Sequence, residues 1–175
     1  GAYLKYMPID IQTEKICSIA VNSDPDILEY VLVQTEEMCL NAVKKNGMII
    51  RYVKDKTYNV CMEAIKENSN SIHYIDNQTY EMCKLAVEIR GSSISYVKDK
   101  TDELCLIAIR QDFTNIKYIY YPSEYICLEA IKIDIRALSY IKNHTEKLCT
   151  EAIKINPEAV KYFNITYPLT KQSLL

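Results

Sequence analysis

The chain has 175 residues, 21 basic and 23 acidic side chains, and a formal net charge of −2. That length points to a single domain, and the slightly acidic balance argues against a nucleic-acid binder, which shows a basic excess or stripe. No run approaches the roughly 20 consecutive apolar residues of a membrane span, and no charged-then-apolar leader is recognisable.

Self-similarity organises everything else. Cys recurs every 22 residues, at 17, 39, 61, 83, 105, 127 and 149. Ala follows three later, at Ala20, Ala42, Ala64, Ala86, Ala108, Ala130 and Ala152, and Tyr recurs at 30, 52, 74, 96, 118, 140 and 162. Seven repeats therefore start at 13, 35, 57, 79, 101, 123 and 145, each on Thr except Ser123, with no insertion or deletion from 13 to 166. Positions within a repeat are numbered below from that residue.

In chain order, Gly1 reads as a cloning remnant, and residues 2–12 match the back half of another repeat, with Leu4 and Tyr6 aligned on Ile50 and Tyr52. The array is therefore expected to start mid-repeat. From Thr13 onward each repeat opens on an N-cap hydroxyl, which accepts from an orphan N–H of the first turn. Met38, Cys39, Ala42 and Val43 then fall on one stripe of a helix. Acids favour its first turn (Glu36, Asp102, Glu124, Glu146) and bases its last (Lys44, Lys66, Arg110, Lys132, Lys154), both suited to the helix dipole. This predicts a helix A of about ten residues.

The second half of a repeat begins on Asp or Asn in six of seven cases, and Asp24-Pro25-Asp26 and Asn156-Pro157-Glu158 are strong helix starts. Ile49, Ile50 and Val53 share a face of a helix B of seven or eight residues, and a polar loop such as Lys54-Asp55-Lys56 leads to the next cap. The expected fold is an all-α solenoid of two-helix repeats. The alternative is a strand-plus-helix horseshoe, since segments such as Ser93-Ile94-Ser95-Tyr96-Val97 favour strands. That architecture needs an L-x-x-L-x-L-x-x-N frame, which is absent. Residues 167–175 leave the pattern and are expected to form a C-terminal cap over the last open face. The whole chain reads as one helical-repeat domain.

Equivalent residues in packed helices sit about 8–10 Å apart. One Cys per layer therefore suits neither a disulfide nor a tetrahedral metal. The expected repeat core is Cys17, Cys39, Cys61, Cys83, Cys105, Cys127 and Cys149 as small buried hydrophobes, with Ala42, Ala64, Ala86 and Ala108. The aromatic bodies of Tyr52, Tyr74, Tyr96 and Tyr118 complete it, their hydroxyls reaching solvent or a carbonyl. Free thiols suggest a reducing, intracellular home, and the N-x-T sequons at Asn77, Asn143 and Asn164 are read as unglycosylated.

Only His73 and His144 occur, at different repeat positions, and Glu63, Glu129 and Glu151 form an exposed acidic row. No nucleophile motif, phosphate loop or metal motif is present, so no catalysis, cofactor or small-molecule substrate is expected. Aromatics depart from the consensus at the edge between repeats, at Tyr58, Tyr80, Tyr120, Tyr121 and Tyr125. Phe113 replaces a usual Gly, Pro or Ser. Exposed tyrosine clusters favour protein interfaces, so these six are the candidate partner-binding residues.

The consensus, best seen in TEEMCLNAVKKNGMIIRYVKDK at 35–56, resembles the domain-of-unknown-function repeats abundant in mimivirus-like giant DNA viruses and found in some intracellular bacteria. The resemblance covers 13–166. It implies an α-solenoid and a viral or pathogen-derived protein acting inside a host cell, and it transfers no activity. The expected function is a protein-protein interaction scaffold for a host or viral partner, the alternative an RNA-binding helical array.

Overall fold

The computed structural model describes residues 4–163. Within them seven ten-residue α-helices recur with the repeat: α1 (Glu14–Ser23), α2 (Glu36–Lys45), α3 (Tyr58–Glu67), α4 (Tyr80–Ile89), α5 (Asp102–Gln111), α6 (Glu124–Ile133) and α7 (Glu146–Ile155). Each starts on its hydroxyl cap. Thr35 Oγ1 accepts from the Met38 N–H at 3.3 Å, and Thr13, Thr57, Thr79, Thr101, Ser123 and Thr145 act alike. The described residues contain no strand, so the horseshoe alternative falls and the fold is all-α.

Helix B differs from expectation. It is a six-residue 3-10 helix, in η2 (Pro25–Tyr30), η3 (Gly47–Tyr52), η4 (Ser69–Tyr74), η5 (Gly91–Tyr96), η6 (Phe113–Tyr118), η7 (Ile135–Tyr140) and η8 (Pro157–Tyr162), with a short η1 (Leu4–Tyr6) before them. The cause is a single shared residue at position 12. Asn46 is extended (φ −154°), and its N–H closes α2 on the Ala42 carbonyl at 3.1 Å. Its side chain meanwhile accepts from the Met48 N–H at 3.1 Å and opens η3. Arg90 is the one position-12 residue without a side-chain cap bond. Six residues are too few for a stable α-helix, and i→i+3 geometry eclipses every third side chain. Positions 13, 16 and 19 thus form one row, as in Gly47, Ile50 and Val53, all buried.

The chain divides into two compact units, Gly1–Lys98 and Asp99–Leu175. In the first, α1 to α4 stack side by side as one layer and η1 to η5 as a second; α5 to α7 and η6 to η8 do the same in the other. Each unit is thus a two-layer α-solenoid. Within a unit each 3-10 helix packs on the α-helix of its own repeat, and η2, η3, η4 and η6 also pack on the next. The core lies between the layers. In the third repeat it comprises Val60, Cys61, Ala64, Ile65, Ile72 and Ile75, none more than 2% exposed. Fully burying one large aliphatic side chain contributes roughly 1.5–3 kcal/mol.

Small residues set the layer spacing. A Cβ on Gly47 would lie 2.3 Å from the Ala64 carbonyl oxygen and 2.9 Å from Ser71 Oγ, so η3 can approach α3 only without one. The Gly47 N–H donates to the Glu67 carboxylate. Ser69 occupies the equivalent place one repeat on, and its hydroxyl meets that of Ser93 at 3.0 Å. The expected C-terminal cap at 167–175 lies outside the described residues.

Candidate functional site

The loops between repeats, at positions 19–22, carry the polar chemistry. Where position 22 is Gln, its carboxamide joins two repeats. Gln34 Nε2 donates to the Leu28 carbonyl at 3.0 Å in its own repeat and to the Tyr52 carbonyl at 2.9 Å in the next. Its Oε1 accepts from the Lys54 N–H at 2.9 Å. Gln78 repeats the pattern on Ile72, Tyr96 and Lys98 at 3.0, 2.9 and 2.9 Å. Gln12 does so on Leu4, Tyr30 and Leu32 at 3.1, 3.2 and 3.0 Å. His144 places Nε2 3.1 Å from the Leu138 carbonyl and stacks edge-on against Phe163. Sequence reasoning treated this position as plain polar loop; a Gln recurring at 12, 34 and 78 was the available signal.

The cysteines sit beneath these side chains, all free and buried. Cys39 and Cys83 Sγ lie 3.7 Å from the Oε1 of Gln34 and Gln78, and Cys61 Sγ lies 3.6 Å from the Lys56 carbonyl. Burial, helped by Asp55 and Glu36, pushes the Cys39 thiol up to about 11. Burial with Asp102 and burial with Glu124 do the same at Cys105 and Cys127, also to about 11. A thiol held protonated is a poor nucleophile and a poor metal ligand. Among the described residues no three His, Cys, Asp or Glu side chains gather as a metal site.

The tyrosines of position 18 stand at the surface boundary, not in the core: Tyr52, Tyr74 and Tyr118 are half-buried and Tyr96 is exposed. Position 17 supplies a cation over two of the rings. Arg51 lies 4.6 Å from the Tyr52 centroid and Lys117 4.9 Å from that of Tyr118. His73 stands between Tyr74 and Tyr96, at 4.9 and 4.8 Å. The acidic row is half-buried and paired within its helices, Glu63 to Lys66 at 2.6 Å, Glu129 to Lys132 at 2.7 Å and Glu151 to Lys154 at 2.8 Å.

The six candidate partner-binding residues do not share one environment. Tyr58 and Tyr80 are exposed at the first residues of α3 and α4, on the first unit. On the second, Phe113 is half-buried beneath the Arg136 guanidinium at 5.2 Å and beside Tyr140 at 6.3 Å, so it is engaged within the stack. Tyr125 is exposed on α6. Tyr120 and Tyr121 are 74% and 97% exposed and wall a cavity of about 340 Å³ with Ile119, Pro122, Ile141 and Leu148. Tyr125 and Phe113 do not line it. Two further clefts, of about 290 and 250 Å³, lie at equivalent loops around Gln34 and Lys56.

Residues 35–80, two repeats and the start of a third, match the family model of a domain of unknown function (DUF4116). The repeats thus have a relative in an uncharacterised domain family. No curated protein and no solved structure matches the chain. No helix among the described residues is long and apolar enough to cross a membrane.

Proposed function

We propose that the chain is a non-catalytic scaffold that binds a protein partner, and that the Tyr120–Tyr121 wall is its principal contact. The observation that carries this reading is two adjacent tyrosines, 74% and 97% exposed, at the rim of a cleft lined by both apolar and charged side chains. Leaving such rings in water forgoes burial that tyrosine usually supplies at interfaces. The neighbouring fourth and sixth repeats hold Lys98-Asp99 and Lys142-Asn143 at the same two positions, so the departure is local. The resemblance to giant-virus and intracellular-bacterial repeats extends the proposal: the protein is viral or pathogen-derived, and acts inside the host cell on a host or viral protein.

The test is a double substitution, Tyr120→Ala with Tyr121→Ala. It should leave circular dichroism and the melting temperature unchanged, because neither ring is in the core, and should abolish capture of the partner obtained with the native chain. Undiminished capture would remove this wall from consideration. A second reading, RNA binding, has one observation behind it: rings interleaved with the cations Arg51 and Lys117 and with the His73 ring resemble a stacking platform. The net charge of −2 weighs against it. No retardation of mixed-sequence RNA at low salt would dismiss it, whereas capture lost on nuclease treatment would promote it.

A further inference from the structure

The repeat supplies its own control for the cleft beside Tyr120. Three layers of the first unit fill the equivalent place with a glutamine carboxamide, which donates to the position-18 carbonyl of the next repeat and accepts from its position-20 N–H. In the fifth repeat position 22 is Pro122, whose ring has no donor or acceptor. The corresponding backbone groups are the Tyr140 carbonyl and the Lys142 N–H. Both residues line the cleft, and among the described residues no side chain replaces the missing carboxamide on them.

A second difference points the same way. Lys54 Nζ closes its layer by donating to the Val31 and Leu32 carbonyls at 3.0 and 2.7 Å, and Lys98 Nζ donates to the Asp76 carbonyl at 2.8 Å. The equivalent Lys142 lies instead over the Tyr120 ring, 5.7 Å from its centroid. Tyr140 and Lys142, whose carbonyl and N–H correspond to the groups a glutamine meets in other layers, thus line a cleft whose walls mix Ile119, Tyr120, Tyr121, Pro122, Ile141 and Leu148 with the charged Lys117 and Glu124. The Lys56 and Lys100 layers also lack a glutamine, but each carries a lysine there, and the cleft at Lys56, walled by Lys54, Asp55, Ile75, Asp76 and Met82 among others, has no tyrosine in its lining.

We propose that this cleft receives the side-chain carboxamide of a glutamine presented by a partner polypeptide, which makes across the interface the two bonds that Gln34 and Gln78 make to the next repeat within the chain. The inference rests on the scaffold reading and names what the tyrosine wall recognises. Tyr120 and Tyr121 would flank the inserted residue. Glutamine is chosen over asparagine because the chain itself uses glutamine at this place three times.

The test is an NMR titration of the whole chain with acetyl-Ala-Gln-Ala-amide, and with peptides carrying Glu or Met in place of Gln. The expected result is a saturable shift of the Lys142 amide, with at least tenfold weaker binding of the Glu and Met peptides. Pro122→Gln should meet the Tyr140 carbonyl and Lys142 N–H from within: peptide binding is lost, Lys142 amide exchange slows at least tenfold, and the melting temperature rises. Pro122→Ala keeps the cleft empty and should retain binding, which guards against a Gln variant that fails to fold. No saturable shift, equal binding of the three peptides, or peptide binding that survives in a Pro122→Gln protein with a protected Lys142 amide overturns the inference. If the peptide fails while Tyr120→Ala/Tyr121→Ala still abolishes partner capture, the carboxamide site falls and the scaffold stands. If both fail, with capture undiminished, the tyrosine wall falls together with the carboxamide site, and failure of the native chain to capture any protein is what overturns the scaffold reading.

Discussion

At the scale of single residues the repeat is governed by size and by the shared cap. Gly47 is required not by its backbone angles, since no described residue has a positive φ, but by the 2.3 Å approach of a would-be Cβ to the Ala64 carbonyl. Gly47→Ala should therefore cost about 1–3 kcal/mol, the range for overpacking a tight contact, read as a lower urea midpoint with an unchanged slope. The thiols make a separate prediction. Cys39, Cys105 and Cys127 are held protonated up to about 11, against roughly 8.5 in an unfolded chain. A group whose folded value is raised contributes stability that is fully present below the unfolded value and is lost as pH rises through the folded one. The melting temperature should fall between pH of about 8.5 and 11, and by less in the Cys39→Ala/Cys105→Ala/Cys127→Ala variant. Tyrosine and lysine titrations are common to both proteins and cancel in the comparison.

At the scale of elements, helix A was legible because each part has a local cause: a hydroxyl cap, an apolar stripe, ten residues and an Asx stop. Helix B was legible as helical but not in its type. The signal was the small-apolar-apolar spacing at 13, 16 and 19, with period three, and it competes with the i, i+1, i+4 face of Ile49, Ile50 and Val53. The glutamine bridge was missed because its partners are backbone groups of another repeat, which no local pattern announces. Gln34→Leu should test its weight. It keeps the volume but leaves the Tyr52 carbonyl and Lys54 N–H without their partner. Stability should drop by roughly 1–3 kcal/mol, the cost of orphaning such groups, and a melt followed residue by residue should show the first and second repeats uncoupling first.

At the scale of the molecule, the regular repeat makes departures visible. Tyr58, Tyr80, Phe113, Tyr120, Tyr121 and Tyr125 all depart from consensus, yet the structure brings only Tyr120 and Tyr121 together at a cleft and ties Phe113 into the stack. Sequence separates framework from exception; it does not say which exceptions face one another, because that depends on where loops pack. The pairing of Pro122 with the unfilled Tyr140 and Lys142 backbone groups was likewise hidden until the glutamine bridges were seen. The central claim is that position 22 decides whether the backbone acceptor and donor of the next repeat are met by the chain, as by Gln34, or left for a ligand. Native-state hydrogen exchange across the whole chain tests it most directly. The amides of Leu32, Lys54 and Lys98, each bonded to a glutamine Oε1, should exchange at least tenfold more slowly, relative to their intrinsic rates, than the amide of Lys142. A Lys142 amide as protected as those of Lys54 and Lys98 would contradict the account.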